Sequence, residues 1–169
     1  QANVSSIMEA WRTGAFITYR DLPGWQGRPW SLLLIPGWRD LIGAGPSHIA
    51  MRQWQTTNAT ILDDLAALPS GDWHVVRHED FISDPAGTLE QLSGFIGIPY
   101  GVGLRALAAK PLKPSAYTFT PPDAEKWRRN ETAIRAVIGE ADALASRLDE
   151  LPVLRKAMQT AQGRPLRPF

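Results

Sequence analysis

Apolar residues recur at helical spacing in four long stretches of the chain. Residues three and four positions apart share one face of a helix, so each stretch predicts an amphipathic helix with one buried side. The four predicted helices cover residues 4–13, 47–68, 85–96 and 131–149. Shorter helices are predicted at 102–110, after Asp123 and after Pro152.

The ends of these helices carry residues that are typical of helix termini. Ser47 and Asp84 can act as N-caps, and Pro85 suits the first helical position because it needs no hydrogen-bond donor there. Gly14 and Gly97 can adopt the left-handed conformation that ends a helix. The predicted buried positions are Val4, Ile7, Met8 and Trp11; Ala50, Trp54, Thr57, Ile61, Leu65 and Leu68; Leu89, Leu92 and Phe95; Ile134, Val137, Ile138, Ala141, Leu144 and Leu148.

One clear strand is predicted at Trp73–Val76, and the polar run Arg77–Asp80 follows it. This run is either a solvated strand end or one wall of a ligand site. Because one strand cannot form a sheet, its partners are either in sequence that precedes residue 1 or in strands that the pattern of this chain does not reveal. The chain also begins inside an amphipathic pattern without an initiator Met, which predicts that it is part of a longer protein.

A segment rich in Gly and Pro, residues 15–45, separates the first two predicted helices. Segments of this length without regular structure often serve as lids or binding loops. Its three tryptophans, Trp25, Trp30 and Trp38, either fill the core or form an apolar wall for an acceptor molecule. Ser31–Ile35 within it is either a short buried strand or a loop anchor.

Composition narrows the class of protein. A chain of 169 residues with 44% hydrophobic and 21% charged residues is typical of one globular domain. The net charge of +1 gives no general reason to expect nucleic acid as a partner, and no apolar run approaches the roughly 20 residues of a membrane span. The absence of cysteine excludes disulfides and thiolate chemistry, and suits a cytoplasmic protein.

The sequence contains partial matches to common catalytic and metal-binding motifs, but these matches lack the secondary structure or the spacing that the motifs require. Gly101–Ala106 matches G-x-G-x-x-A but follows no strand, so dinucleotide binding is not indicated. His74 and His78 would lie about 13 Å apart on a strand, too far to share a metal ion. We therefore predict no metal site.

The segment Lys110–Asn130 combines cations with hydroxyl groups on an extended, Pro-rich backbone. Cations and hydroxyl donors together suit phosphate or sulfate oxygens. The alternative, which composition alone favours, is a solvated linker before a helix with basic surface residues.

Four stretches resemble segments of the sulfotransferases. Residues 73–99, WHVVRHEDFISDPAGTLEQLSGFIGIP, resemble the family segment V-R-Y-E-D-L, then D-P, then a helix ending F-L-G-L-P. KPSAYTFTPPDAEKW, residues 113–127, resembles the late loop of bacterial-type and tyrosylprotein-sulfotransferase-like members. NVSSIMEAWRTG and RQWQTTNATILDDL resemble the helix with the 3′-phosphate Ser and the long central helix. The resemblance spans residues 2–130 and marks the chain as a C-terminal portion of such a protein.

The resemblance implies an α/β fold with a nucleotide-kinase-like parallel sheet and flanking helices, here truncated at the N-terminus and mostly helical. Residues 1–169 would be one partial domain with a helical C-terminal segment, 131–169. The implied reaction transfers a sulfuryl group from 3′-phosphoadenosine 5′-phosphosulfate (PAPS) to a hydroxyl or amine of a small molecule or peptide, without a metal. The family's 5′-phosphosulfate loop is not found, so we expect this chain alone to bind the donor weakly.

The resemblance also implies contacts to the donor. Ser6 matches the serine that holds the 3′-phosphate, and Ser5 is the alternative by register. His78 stands where the family usually has a Tyr that faces the nucleotide. Ser115 and Lys126 are candidates for contacts near the phosphosulfate, where Lys126 could neutralise charge on the bridging oxygen.

Other assignments stay open. Thr118 or Thr120 could take the place of Ser115, and Glu79 and Asp80 are expected to be structural. No catalytic residue is identified, although Glu9 or His48 could be proposed as the base. Two other functions remain as alternatives: a non-catalytic helical binding module, and another phosphate-handling transferase on the same fold.

Overall fold

The computed structural model describes residues 1–113, 115 and 125–151. The helices predicted after Asp123 and Pro152 begin outside these residues. In order, the α-helices are α1 (Ala2–Thr13), α2 (Pro46–Ala66), α3 (His78–Ser83), α4 (Pro85–Ile96), α5 (Val102–Ala108), α6 (Glu131–Arg135) and α7 (Asp142–Asp149). Three 3-10 helices cover Trp38–Leu41, Lys126–Asn130 and Ile138–Ala141. The strands are β1 (Ile17–Tyr19) and β2 (Trp30–Ser31).

The internal contacts divide the chain into two compact units. The first unit comprises residues 1–67 and 120–150, and the second comprises residues 68–119 and 151–169.

Two apolar clusters form the core of the first unit. One joins α1 and α2 to the segment around α6, because their apolar faces meet. The other surrounds Trp30, whose side chain is fully buried. The buried members are Val4, Met8, Ala50, Met51, Ile134, Val137 and Ala141 in the first cluster, and Trp11, Trp30, Ile35, Trp38, Leu41 and Ile49 in the second.

The tryptophans of the long loop belong mainly to this core. Trp30 and Trp38 are buried, and Trp25 packs edge-on against Trp30 with a centroid separation of 4.8 Å. Trp11 of α1 meets Trp30 at 5.1 Å, also edge-on. Edge-to-face packing of this kind is favourable between aromatic rings. Core filling is therefore confirmed for Trp30 and Trp38, and the alternative of a substrate wall is wrong for these two.

The sheet of the first unit is small and antiparallel. Ile17 of β1 pairs with Ser31 of β2, and Tyr19 pairs with Trp30. Of the segment Ser31–Ile35, only Ser31 is in a strand, so its remaining residues anchor a loop. The described residues contain no parallel sheet, and β1 and β2 both lie outside Trp73–Val76, where the one clear strand was predicted.

The strand predicted at Trp73–Val76 is wrong, because only Val75 makes a β-bridge there. β-branched residues favour a strand only when a neighbouring strand supplies a ladder. His78 and the acidic residues after it form the first turn of α3, with Arg77 as N-cap. The polar run is therefore the start of a helix in the second unit, where carboxylates suit the positive end of the helix dipole.

The residues that the sequence marks as helix ends mostly lie where the helices end in the structure. The carboxylate of Asp84 accepts a hydrogen bond of 2.9 Å from the N–H of Gly87, as expected of an N-cap. Gly14 and Gly97 have φ values of 68° and 80° and end α1 and α4, which confirms both predictions. Ser47 as N-cap is wrong: Gly45 takes that position and Pro46 begins the helix.

The predicted buried faces are correct near the core and wrong away from it. Ile61 in α2 and Phe95 in α4 are 46% and 40% exposed, and Leu68 lies beyond the end of α2. The buried residues of α4 are instead Thr88 and Ser93. The helix predicted at 131–149 is broken into α6, a 3-10 helix and α7, although its buried positions Ile134, Val137 and Ala141 are confirmed. Spacing identifies an apolar face but not the neighbour that covers it.

Candidate functional site

A pocket of about 330 Å³ opens in the first unit between α1, α2 and the loop after β2. Its volume lies within the range of small-molecule sites. Both apolar and polar side chains line it. The lining residues are Asn3, Ser6, Ile7, Leu32, Leu33, Gln53, Trp54, Thr57 and Asn58.

The two serines predicted as alternatives for phosphate binding face different environments. Ser5 is buried, and its hydroxyl accepts a 3.0 Å hydrogen bond from the amide of Asn130. Ser6 is exposed and lines the pocket. Because Ser6 is the fifth residue of α1, it lies past the four N–H groups that a helix leaves free at its start. Any ligand contact at Ser6 would therefore use its hydroxyl group.

Gln53 fixes the floor of the pocket. Its side-chain oxygen accepts a 2.8 Å hydrogen bond from the indole N–H of Trp11. Its amide nitrogen donates to the carbonyls of Ser31 and Leu33 at 2.9 and 2.7 Å. Gln53 is only 3% exposed, and its bonds to Trp11 and Ser31 are buried, whereas its bond to Leu33 is partly buried. The loop after β2 is thereby tied to both long helices of the first unit.

Leu32, which lines the pocket, has a strained backbone. Its φ of 62° lies in the left-handed region, which costs a non-glycine residue on the order of 1–3 kcal/mol. The conformation is maintained from both sides: its N–H donates to the carbonyl of Phe16 at 2.9 Å, and its carbonyl accepts from the hydroxyl of Thr18 at 2.6 Å. Strained residues of this kind concentrate at ligand sites.

A second buried network joins α1 to the 3-10 helix Lys126–Asn130. The amide of Asn130 donates to the hydroxyl of Ser5 and, at 2.9 Å, to the carboxylate of Glu9. Arg12 donates to the side-chain oxygen of Asn130 at 2.7 Å. Glu9, one of the two residues considered as a base, is therefore already engaged by a hydrogen bond. His48, the other, is exposed in α2.

Lys126 is half-buried at the start of this 3-10 helix. Among the described residues no carboxylate pairs with its ammonium group. Arg128, two residues further on, behaves differently: its hydrogen bond to Glu125 raises the pKa of the Arg128 guanidinium above its ordinary value. Lys126 is therefore the better candidate for contact with an anionic ligand.

The other two predicted donor contacts, His78 and Ser115, lie in the second unit. Both are exposed, so both are accessible to a ligand. His78 is the first residue of α3 rather than the end of a strand. Of the four predicted residues, Ser6 and Lys126 therefore lie in the first unit, and His78 and Ser115 lie in the second. Within the first unit, the hydrogen bond from Asn130 to Ser5 brings the helices of Ser6 and Lys126 together.

His74 of the second unit lies in a desolvated environment. Its ring lies 5.1 Å from that of Phe95, and its Nε2 atom is buried without a hydrogen-bond partner. This desolvation lowers the pKa of His74 below 6.5. In the described ranges, no three His, Asp or Glu side chains are placed so that they could hold a metal ion.

Sequence reasoning missed Gln53 and Asn130. Their partners are 42 and 125 residues away, so no local pattern marks them. The only available signal was a polar side chain on a helical face that is otherwise apolar.

Comparison with known proteins assigns the chain to a family. The model of the sulfotransferase family matches residues 16–101, just over half of the chain. No curated protein and no solved structure matches it. The chain therefore belongs to the sulfotransferase family, as its sequence motifs predicted. None of the described helices has the length and apolar character required to cross a membrane.

Proposed function

We propose that the protein transfers a sulfuryl group from PAPS to a hydroxyl or amine group of an acceptor. Membership of the sulfotransferase family supports the type of reaction. One observation carries the assignment of residues: the exposed hydroxyl of Ser6 borders a pocket on a helix that is fastened to the helix of Lys126. We also propose that the intact protein contains the nucleotide-kinase-like parallel sheet.

The predicted donor contacts have suitable chemistry for PAPS. Hydroxyl and ammonium groups are strong donors to phosphate and sulfate oxygens, and Ser6, Ser115 and Lys126 supply them. His78 can hydrogen-bond through its ring nitrogens, although it replaces the Tyr that is usual in the family. None of these four side chains is fully buried, so a ligand can reach each of them.

When bound, PAPS supplies an activated sulfuryl group and leaves as adenosine 3′,5′-bisphosphate. The ammonium of Lys126 would stabilise negative charge at the leaving oxygen, because a fixed cation favours a transition state in which charge develops. The hydroxyl of Ser6 would hold a phosphate oxygen away from the reacting atoms. We assign no base, since Glu9 is engaged by Asn130.

The test compares Lys126→Ala with Arg129→Ala, which removes a neighbouring exposed cation of the same 3-10 helix. The assay follows ³⁵S-labelled transfer from PAPS in protein expressed from the complete coding sequence. We expect Lys126→Ala to lower kcat by about 10²–10³ and Arg129→Ala to leave it within about threefold. Unchanged turnover in Lys126→Ala would remove this residue from the mechanism.

The assay also separates the alternative functions. Transfer of the γ-phosphate of ATP in place of the sulfuryl group would indicate a kinase-like enzyme. Absence of either transfer would indicate a binding module.

A calorimetric titration of the 169-residue chain with adenosine 3′,5′-bisphosphate tests whether this chain alone contains a complete donor site. We expect weak binding, because the chain has no 5′-phosphosulfate loop in its sequence. Tight binding would contradict this expectation and show that the chain holds a complete donor site.

A further inference from the structure

The pocket beside Ser6 has no charged side chain in its lining. The polar members are amides and hydroxyls, and the apolar members are Ile7, Leu32, Leu33 and Trp54. A phosphate or sulfate group enters such a site at a large cost unless cations or several N–H donors compensate for the lost water. The pocket therefore suits an uncharged ligand.

Free hydrogen-bonding groups remain at the edge of this pocket. The amide of Gln53 is fully used by Trp11 and two carbonyls, and the amide nitrogen of Asn58 donates to the carbonyl of Trp54 at 2.8 Å. Among the described residues, the side chains of Ser6, Thr57 and Asn3 have no hydrogen-bond partner. Three neutral polar groups beside an apolar wall favour a molecule with an apolar body and one or two hydroxyl groups.

The wall of the pocket is held in place before any ligand binds. Gln53 bonds the carbonyls on both sides of Leu32, and the strained backbone of Leu32 is fixed by Phe16 and Thr18. A preformed wall reduces the entropy that a ligand must lose in ordering its site. This arrangement is expected of a binding surface rather than of an accidental gap in packing.

We propose that the pocket binds the acceptor and that this acceptor is an uncharged alcohol or phenol with an apolar body. The inference rests on the proposed function, because it assigns the sulfuryl acceptor of that reaction to the pocket. The phosphates of the donor would then lie outside the pocket, and Ser6 would stand at the boundary between the two ligands.

The experiment uses two probes of similar shape, uncharged 2-naphthol and anionic 2-naphthoate, at pH 7. ¹⁵N-HSQC spectra of the 169-residue chain are recorded during each titration. We expect 2-naphthol to shift the amides of residues 3–7, 32–33 and 53–58, and 2-naphthoate to bind at least about tenfold more weakly. Equal or stronger binding of 2-naphthoate or of adenosine 3′,5′-bisphosphate at these amides would overturn the inference.

Substitutions at Leu33 give a second test, because Leu33 is 58% exposed and tolerates a polar side chain without loss of core packing. Leu33→Asp should weaken 2-naphthol at least about tenfold, and Leu33→Lys should strengthen 2-naphthoate. The control is Ile42→Asp, which changes an exposed residue of the first unit that does not line the pocket and should leave both affinities within about twofold. Equal effects of Leu33→Asp and Ile42→Asp would overturn the assignment of the site.

Failure of this inference can be distinguished from failure of the proposed function. Sulfuryl transfer without binding of 2-naphthol at residues 3–58 would overturn only the acceptor pocket. Binding of 2-naphthol without any sulfuryl transfer in the complete protein would overturn the acceptor role together with the proposed function, and would leave a neutral-ligand site.

Discussion

The two units carry the same kinds of helix-forming sequence but differ in what those helices bury. The first unit contains two apolar clusters and buries Trp30, Met51 and Ile134 almost completely. Among the described residues of the second unit, only Thr88 and Ser93 are buried. Its large apolar side chains Ile82, Phe95, Ile96, Ile98, Val102, Leu107 and Leu112 are all at least 40% exposed.

Their buried polar groups differ as well. In the first unit, Gln53 and Asn130 are paired on every side by neighbours from other elements. Among the described residues, the buried side-chain atoms without a hydrogen-bond partner are Nε1 of Trp73 and Nε2 of His74 in the second unit and Oε1 of Gln55 in the first. Unpaired buried polar atoms reduce stability, whereas paired ones fix a unique arrangement. The first unit is therefore expected to be the more stable part of the chain, although the second holds the motif that best resembles the family.

The largest expected effect is the loss of Trp30. Trp30→Ala should lower the free energy of unfolding by about 3–5 kcal/mol, because it leaves a large cavity in a fully buried cluster. Urea denaturation followed by circular dichroism measures the change. The matched variant in the second unit, Val102→Ala, removes a side chain that is 85% exposed and should cost less than about 0.5 kcal/mol. Similar costs for the two would contradict the difference between the units.

The next effect concerns the polar core. Gln53→Leu should destabilise the first unit by about 1–3 kcal/mol, because an indole N–H and two carbonyls lose their partner. The control is Gln55→Leu. The amide of Gln55 donates to the carbonyl of Glu140, but its own oxygen is buried without a partner. Removal of that unpaired oxygen offsets the lost bond, so this control should cost less than about 1 kcal/mol. A larger loss of stability in Gln55→Leu than in Gln53→Leu would contradict the greater contribution of Gln53.

A smaller effect is expected at the N-cap of α4. Asp84→Ala should cost about 1 kcal/mol, since the N–H of Gly87 loses its acceptor. Asp84→Asn keeps an oxygen at this place and should recover most of the loss. Thermal melting of both variants measures the difference, and equal melting temperatures would show that the cap contributes little.

The smallest effect is a pH dependence of the second unit. The pKa of His74 is lowered in the folded state, so the folded chain resists a proton that the unfolded chain accepts near pH 6.5. Stability should therefore be fully present above about pH 6.5 and decrease as the pH falls below it. His74→Phe, which keeps a ring against Phe95, should flatten this dependence in urea titrations between pH 7.5 and 5.5. Val102→Ala serves as control, because it changes an exposed residue of the second unit without removing a titratable group and should leave the pH dependence intact.

What could be predicted from the sequence depended on how far apart the interacting residues are. Asp84, Pro85 and Gly97 define α4 through contacts within a few residues, and all three behave as predicted. Phe95 was expected to be buried because of its spacing, yet its exposure depends on whether another element covers it. The strand at Trp73–Val76 failed for the same reason, since only Val75 of these four residues makes a β-bridge.

The candidate site shows the same limit. Ser6, His78, Ser115 and Lys126 came from resemblance to the sulfotransferases, and the family itself is confirmed by the match over residues 16–101. Their roles as donor contacts remain predictions. The sequence left Ser5 and Ser6 as alternatives. The structure buries Ser5, whose hydroxyl accepts a hydrogen bond from Asn130 125 residues away, and leaves Ser6 exposed.

The sequence by itself determined α1, α2 and α4, the helix ends at Gly14, Asp84 and Gly97, and the family, because these depend on local spacing and on motifs that lie within a short stretch. Only the tertiary structure decided which apolar faces are covered, that Trp30 and Trp38 of the loop belong to the core, and that a neutral pocket opens beside Ser6. These features depend on contacts between elements distant in sequence, such as Gln53 with Trp11 and with the strained loop around Leu32. No local pattern encodes such contacts, because each of them is made only when the elements pack.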